Sequence, residues 1–447
     1  MIQAMSIVNP CNNHDLLKRS LDAVWHPCSQ MKHYENFPLI PISRGSGVWL
    51  HDYDGRRYLD AVSSWWVNLF GHCNSSINAA ITDQLGKLEH VMLAGFTHEP
   101  VTQLSERLRE IAPQGLGHCF YASDGASATE IALKMSAHYW RSSGKPDKTQ
   151  FISLENSYHG ETLGALSVTD ITLFRDAYGV LVRQQSTVPS PDWRKAAVGE
   201  SAESYALRCA SALEQHLQQH HAQLAAFIIE PLVQGAAGMA MYHPIYLLRA
   251  RQLCDAYGVH LIADEIAVGM GRTGTMFACE QSLITPDFLL LSKGITGGYL
   301  PLSVVMTHDE IYKAFYDSEV SRGFLHSHSY TGNPLACRAA LATLDIFAGD
   351  DVLASNRSKA AYLNQIATQL REHHAVRNWR NTGMIWAFEV VSPRRDFAQL
   401  CFTMALQNGL LLRPIGNTVY FMPPYVISDD EIELLVKGTF HVIDQLS

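Results

Sequence analysis

Phe288-Leu-Leu-Leu-Ser-Lys293-Gly-Ile-Thr-Gly-Gly298 is an apolar, strand-like run that ends in a lysine, with glycines following at once. An ammonium in an apolar setting is costly unless it is paired or neutralised, so a strand-end lysine needs a reason. One reason is a Schiff base, in which a desolvated amine attacks an aldehyde and the imine is held in a dry pocket. Upstream, Val259-His-Leu-Ile-Ala-Asp264-Glu265 is a second short apolar run, and it ends in carboxylates. An aspartate placed there suits the pyridinium nitrogen of pyridoxal phosphate, the cofactor such a lysine serves. Lys293 and Asp264 together predict a pyridoxal-phosphate enzyme.

The same pattern repeats outward from this pair. His118-Cys-Phe-Tyr-Ala122, Phe151-Ile-Ser-Leu-Glu155 and Ala225-Ala-Phe-Ile-Ile-Glu230 read as strands. Helical periodicity runs from Ala128 to Arg141, and Pro244 opens a helix that Gly258 closes. Apolar strands alternating with helices predict a mainly parallel sheet covered on both faces, an α/β architecture. Earlier in the chain, Val48–Tyr53 and Arg56–Asp60 flank Asp54-Gly55, a tight-turn pair that predicts a hairpin. Beyond Asn333-Pro334 the style changes. Met384–Val391 and Val419–Met422 read as strands, and Phe397–Gln407 and Asp429–Asp444 as amphipathic helices. We expect a large cofactor-binding domain over 71–334 and a smaller α+β domain over 335–447. Residues 1–70 contribute to the smaller one. A length of 447 residues agrees with two or three units at roughly 150 residues each.

Bulk composition narrows the function. The net charge is −9 and no run of Lys and Arg occurs, which argues against a nucleic-acid partner. No apolar run approaches the ~20 residues of a membrane helix, and Met1–Pro10 lacks a basic region followed by an apolar stretch. Nine scattered cysteines without a C-x-x-C spacing fit reduced thiols in a cytoplasm. His326-Ser-His328 has no carboxylate or third histidine at ligand spacing, so it reads as local hydrogen bonding and no metal is expected.

Several loops follow strands in register. Ser123-Asp-Gly125-Ala126-Ser127 precedes a helix, where small residues and the helix N-terminus suit a phosphate; an ordinary N-cap is the alternative. Asn156-Ser-Tyr158-His159-Gly160 places an aromatic at a strand end, suited to stacking on a planar ring or to packing. Glu230-Pro-Leu-Val-Gln234-Gly235 and Gly269-Met-Gly-Arg272-Thr-Gly274 also fall at strand carboxyl ends, where open α/β sheets bind ligands.

These segments resemble the class III (ω-amino acid) aminotransferases of fold type I over nearly the full length. The matching motifs are Ile229-Glu-Pro231, Leu261-Ile-Ala-Asp264-Glu265, Gly271-Arg-Thr-Gly274, Ser292-Lys293-Gly294 and Thr331-Gly-Asn-Pro334. Within that class, four segments are similar to a biotin-pathway branch. They are Trp25-His-Pro27, Ser63-Ser-Trp65-Trp66, Gly238–Pro244, and Arg413-Pro-Ile-Gly with Tyr420–Tyr425. A branch acting on an ω-amino acid with pyruvate or 2-oxoglutarate is the rival, and a non-catalytic binder on the same fold is a second.

The resemblance implies roles position by position. Lys293 would carry the cofactor and shuttle protons, and Asp264 would keep the pyridine nitrogen protonated. Tyr158 and Ile266 would sandwich the ring, with Gln234 near its phenolic oxygen. Gly125, Ala126, His328 and Ser329 would hold the phosphate, Ser329 reaching across from a second subunit of a homodimer. Cys28, Trp65, Tyr158, Arg272, Lys293, Ser327, Arg413 and Tyr420 would meet substrate, Arg413 through its carboxylate. Without the resemblance, Trp65 reads as core and Arg413 as surface. Three positions depart from the family pattern. Asp124-Gly125-Ala126 replaces Ser-Gly-Ser, Ser329 replaces Thr, and Cys28 stands where an aromatic is usual.

Overall fold

Seven strands form the central sheet of the computed structural model, which describes residues 12–37 and 39–447. Their spatial order is Leu116–Ala122, Ser303–His308, Phe288–Leu291, His260–Asp264, Leu224–Ile229, Gln150–Leu154 and Ser186–Val188. All neighbours pair in parallel except at Ser303–His308, which runs antiparallel to both of its neighbours. That reversal was not legible beforehand, nor was the short edge strand at Ser186. It brings the loop Thr296–Leu302 to the sheet edge where Asp264 and Lys293 end their strands. Every residue of Leu224–Ile229, His260–Asp264 and Phe288–Leu291 is buried, as sheets covered on both faces require.

The covering helices follow from apolar spacing and caps. Gly125–Ser142 buries Ala128, Ile131, Ala132 and Met135 on one stripe, three residues longer at its start than periodicity alone indicated. Its N-cap is Asp124, whose carboxylate accepts from Ser127 N at 2.8 Å. Ile245–Tyr257 ends at Gly258 in a left-handed conformation (φ 61°).

The hairpin at Asp54-Gly55 pairs Trp49–Asp52 with Arg57–Asp60, and Gly55 adopts φ 87°. Asp52 organises the turn by accepting from Asp54 N at 3.0 Å and Arg56 N at 2.8 Å. Ile42–Ser46 adds an outer strand, and Leu410–Leu411 pairs in parallel with Leu59–Asp60, so the chain's two ends share one sheet. Val376–Thr382, Ile385–Val390 and Thr418–Phe421 form an antiparallel sheet, and the helices Phe397–Gln407 and Asp429–Leu446 accompany it. No helix among the described residues is long and apolar enough to cross a membrane. Met1–Pro10 and Cys11 lie outside those residues.

Candidate active site

Lys293 leaves its strand in the left-handed region (φ 46°), a strain of roughly 1–2 kcal/mol for a residue with a Cβ. Ser292 braces the bend, its hydroxyl donating to Leu302 O at 2.8 Å. The Lys293 side chain enters a cavity of about 550 Å³, where Nζ sits 4.8 Å from the Trp66 ring centroid. Burial draws the amine below the ordinary lysine range, and the nearby Asp264 and Glu230 carboxylates oppose that pull. A desolvated amine on a strained turn is suited to attack a carbonyl carbon.

Asp264 is buried beside it, and both of its oxygens are engaged. Oδ1 accepts from Ile266 N at 3.1 Å, and Oδ2 lies 2.7 Å from His159 Nδ1. The carboxylate can only accept, so His159 carries its proton on Nδ1. The backbone of His159 is pinned as well: its N donates to Thr169 Oγ1 at 3.0 Å, and Thr129 Oγ1 donates to its carbonyl at 2.9 Å. His159 Nε2 is buried without a partner. Glu230 lines the same cavity and accepts from Tyr158 N at 3.1 Å and Gly235 N at 2.9 Å. Burial outweighs these donors and raises its pKa to about 7.

Gly125 and Ala126 line the cavity at the N-terminus of their 18-residue helix. A Cβ on Gly125 would lie 2.9 Å from Ile266 Cδ1, and one on Gly160 would lie 2.5 Å from Ala126 Cβ. These glycines let the helix start at Asp124–Ala126, the Tyr158 loop and Ile266 close on one another. Tyr158 and Ile266 both face the cavity, and Tyr158 OH donates to Glu161 Oε1 at 3.0 Å. An amine, a buried carboxylate, a helix N-terminus and an aromatic–aliphatic slot fit a planar anionic aldehyde, which is the chemistry of pyridoxal phosphate.

Trp65 and Arg413 are exposed and do not line the cavity, and they meet each other with the guanidinium carbon 4.2 Å from the indole centroid. Tyr420 is buried and accepts from Trp66 Nε1 at 3.1 Å, so it reaches the cavity through Trp66. Gln234 is fully buried, with Ser190 Oγ donating to its carbonyl and its amide donating to Glu155 O at 3.0 Å. Ser327 and Ser329 are exposed and His328 half-exposed, none of them lining this chain's cavity. His328 contacts His326 (Nε2 to Nε2, 3.2 Å), and His326 Nδ1 lies 2.7 Å from Lys134 Nζ. Cys28 is exposed on a left-handed turn (φ 52°), within electrostatic reach of Tyr158.

Arg272 stands apart from the substrate set. It is fully buried, donates to Pro423 O at 2.7 Å and Asn68 O at 2.9 Å, and lies over the Tyr425 ring. Its guanidinium ties three segments together and does not line the cavity. Conversely, sequence reading assigned no role to His159 or Trp66. The one available signal for each was adjacency, to Tyr158 and to Trp65.

A family model described as "Aminotransferase class-III" matches residues 30–443. A Helicobacter pylori protein named adenosylmethionine-8-amino-7-oxononanoate aminotransferase is 46% identical, covering 97% of this chain and 98% of that one. A crystal structure of the enzyme so named from Methanocaldococcus jannaschii superposes with a TM-score of 0.91 at 35% identity, covering 97% and 99% of the two chains. The PLP-bound form of an amine transaminase from an uncultivated Pseudomonas species gives 0.90 at 32% identity, covering 95% and 99%. The lysine–aspartate pair therefore sits in a known frame, and the chain belongs to the class III aminotransferases, on a fold type I scaffold.

Proposed function

We propose that the protein is a pyridoxal-phosphate aminotransferase that moves an amino group from adenosylmethionine to 8-amino-7-oxononanoate. The product is 7,8-diaminononanoate, for biotin synthesis. The observation that carries the chemistry is the pairing of Lys293 and Asp264 at neighbouring strand ends within one cavity. The substrate assignment is supported by full-length similarity to relatives of that name.

When bound, pyridoxal phosphate supplies an aldehyde and a protonated ring that withdraws electrons from the donor carbon. The protein's part is binding, orientation and proton traffic. Lys293 would hold the cofactor through Nζ, and its amine lines the cavity where a proton at the donor carbon would be moved. Asp264 would keep the proton on the ring nitrogen, and His159 fixes the carboxylate that would do so. Gly125 and Ala126 would offer backbone donors to the phosphate, Tyr158 and Ile266 would flank the ring, and Gln234 would brace the loop after Glu155 through its bond to that residue's carbonyl. Leu300 and its neighbours on the incoming loop exclude water. We also propose a homodimer, in which Ser327, His328 and Ser329 complete the site of a second copy, since they are exposed here. Residues up to 70 join 335–447 in one small domain beside 71–334, a division supported by the pairing of Leu410–Leu411 with Leu59–Asp60.

Arg413 takes the keto substrate's carboxylate and Trp65 covers its chain. Arg413→Ala should lower kcat/KM for 8-amino-7-oxononanoate by about 10–100-fold, the worth of one charge-assisted contact. Turnover of pyruvate or 2-oxoglutarate in place of that acceptor, with Arg413→Ala silent, would overturn the substrate assignment in favour of the ω-amino acid branch.

A further inference from the structure

Four consecutive non-glycine residues, Ser63, Ser64, Trp65 and Trp66, lie in the left-handed region with φ of 50°, 46°, 73° and 73°. Each is disfavoured for a side chain bearing a Cβ, and such runs persist only where their surroundings over-determine them. The turn separates two adjacent indoles. Trp65 is exposed and lies against Arg413, whereas Trp66 faces inward, near Lys293 Nζ and against Tyr420. A right-handed or extended path through the same four residues would carry the two rings elsewhere.

The buried group nearest this turn is Asp60, which is fully enclosed. Its carboxylate accepts from Ser64 N at 2.9 Å, from Ser64 Oγ at 2.7 Å, and lies 3.0 Å from His72 Nε2. Ser63 Oγ adds a bond to Met422 O at 2.7 Å. Two of the carboxylate's three contacts fall on Ser64, the second residue of the turn. We infer that Asp60 is a positioning residue for substrate recognition, holding the left-handed turn that sets Trp65 against Arg413. The inference rests on the proposed role of Trp65 and Arg413 in taking the keto acid.

Glycine occupies the left-handed region without the Cβ penalty, so Ser64→Gly should make the turn less dependent on Asp60. The test measures the dissociation constant of 8-amino-7-oxononanoate for the cofactor-loaded protein by titration calorimetry, with a thermal melt alongside. Asp60→Ala should weaken binding by about tenfold, the scale of a lost charge-assisted bond. Asp60→Ala with Ser64→Gly should return to within about threefold of the parent, although its melting temperature stays low. Unchanged affinity in Asp60→Ala, or a loss that Ser64→Gly leaves in place, would show that Asp60 serves the fold alone. Should Asp60→Ala not fold, Asp60→Asn with and without Ser64→Gly is read by the same criteria. Arg413→Ala run in parallel separates the two ideas. If it binds the keto acid like the parent, the substrate role of Arg413 fails; if it binds weakly while Asp60→Ala does not, only the inference fails.

Discussion

Lys293→Ala should lose about four orders of magnitude in turnover, because the carbonyl-binding amine and the proton carrier disappear together. Cofactor retention should fall far less, since Asp264, the helix N-terminus at Gly125 and the Tyr158–Ile266 slot all remain. The substitution leaves the strained turn at φ 46° with a smaller side chain, so folding should be preserved. Borohydride reduction of the loaded parent, followed by peptide mapping, should place the label on Lys293, and the variant should carry none. Label on any other lysine, or turnover within about tenfold of the parent, would contradict the assignment.

The second large effect belongs to Asp264→Asn. A neutral amide cannot keep the ring nitrogen protonated, so electron withdrawal from the donor carbon is lost at the step where charge develops. The local structure adds a further cost. An amide nitrogen at the Oδ2 position would face His159 Nδ1 and drive its proton to Nε2, which is buried without a partner. An unsatisfied buried donor costs on the order of 1–3 kcal/mol, so even this isosteric change should lower the melting temperature. We expect the single-turnover rate with a donor amine to fall by at least about a hundredfold, in line with lost electrostatic stabilisation. A decrease of less than about tenfold would remove Asp264 from its role.

Much of this was legible in the sequence because burial writes a plain signature. Leu261–Ala263 and Phe288–Leu291 are apolar throughout and each is followed within two residues by a charged one, a pattern with few explanations in an enclosed sheet. Strand direction leaves no such mark. Ser303–His308 is buried almost throughout, like the parallel strands of the sheet, and only pairing reveals that it runs backwards. The turn at Ser63–Trp66 was hidden for the opposite reason. Left-handed backbone is advertised by glycine or asparagine, and here it is imposed on Ser and Trp by Asp60, far from any local preference. Arg272 illustrates a third limit. A family motif marks the position as occupied by arginine, but whether the guanidinium meets a substrate or three backbone carbonyls is decided by segments distant in sequence. His159 was missed because its partner, Asp264, lies 105 residues away at the end of a separate strand, and such a contact has no sequence spacing.

The central claim is that this cavity transfers an amino group in two half-reactions through Lys293. Single-turnover absorbance tests it most directly. The loaded protein is mixed with adenosylmethionine alone, and 8-amino-7-oxononanoate is added afterwards. The account predicts one stoichiometric loss of the aldehyde-form band on mixing with the donor, then its full return with the keto acid, matched by one equivalent of 7,8-diaminononanoate. Lysine as donor, run in the same way, should show whether the first half-reaction accepts a second amine. A band that no amine donor shifts, or that shifts without returning when the keto acid is added, would contradict the account.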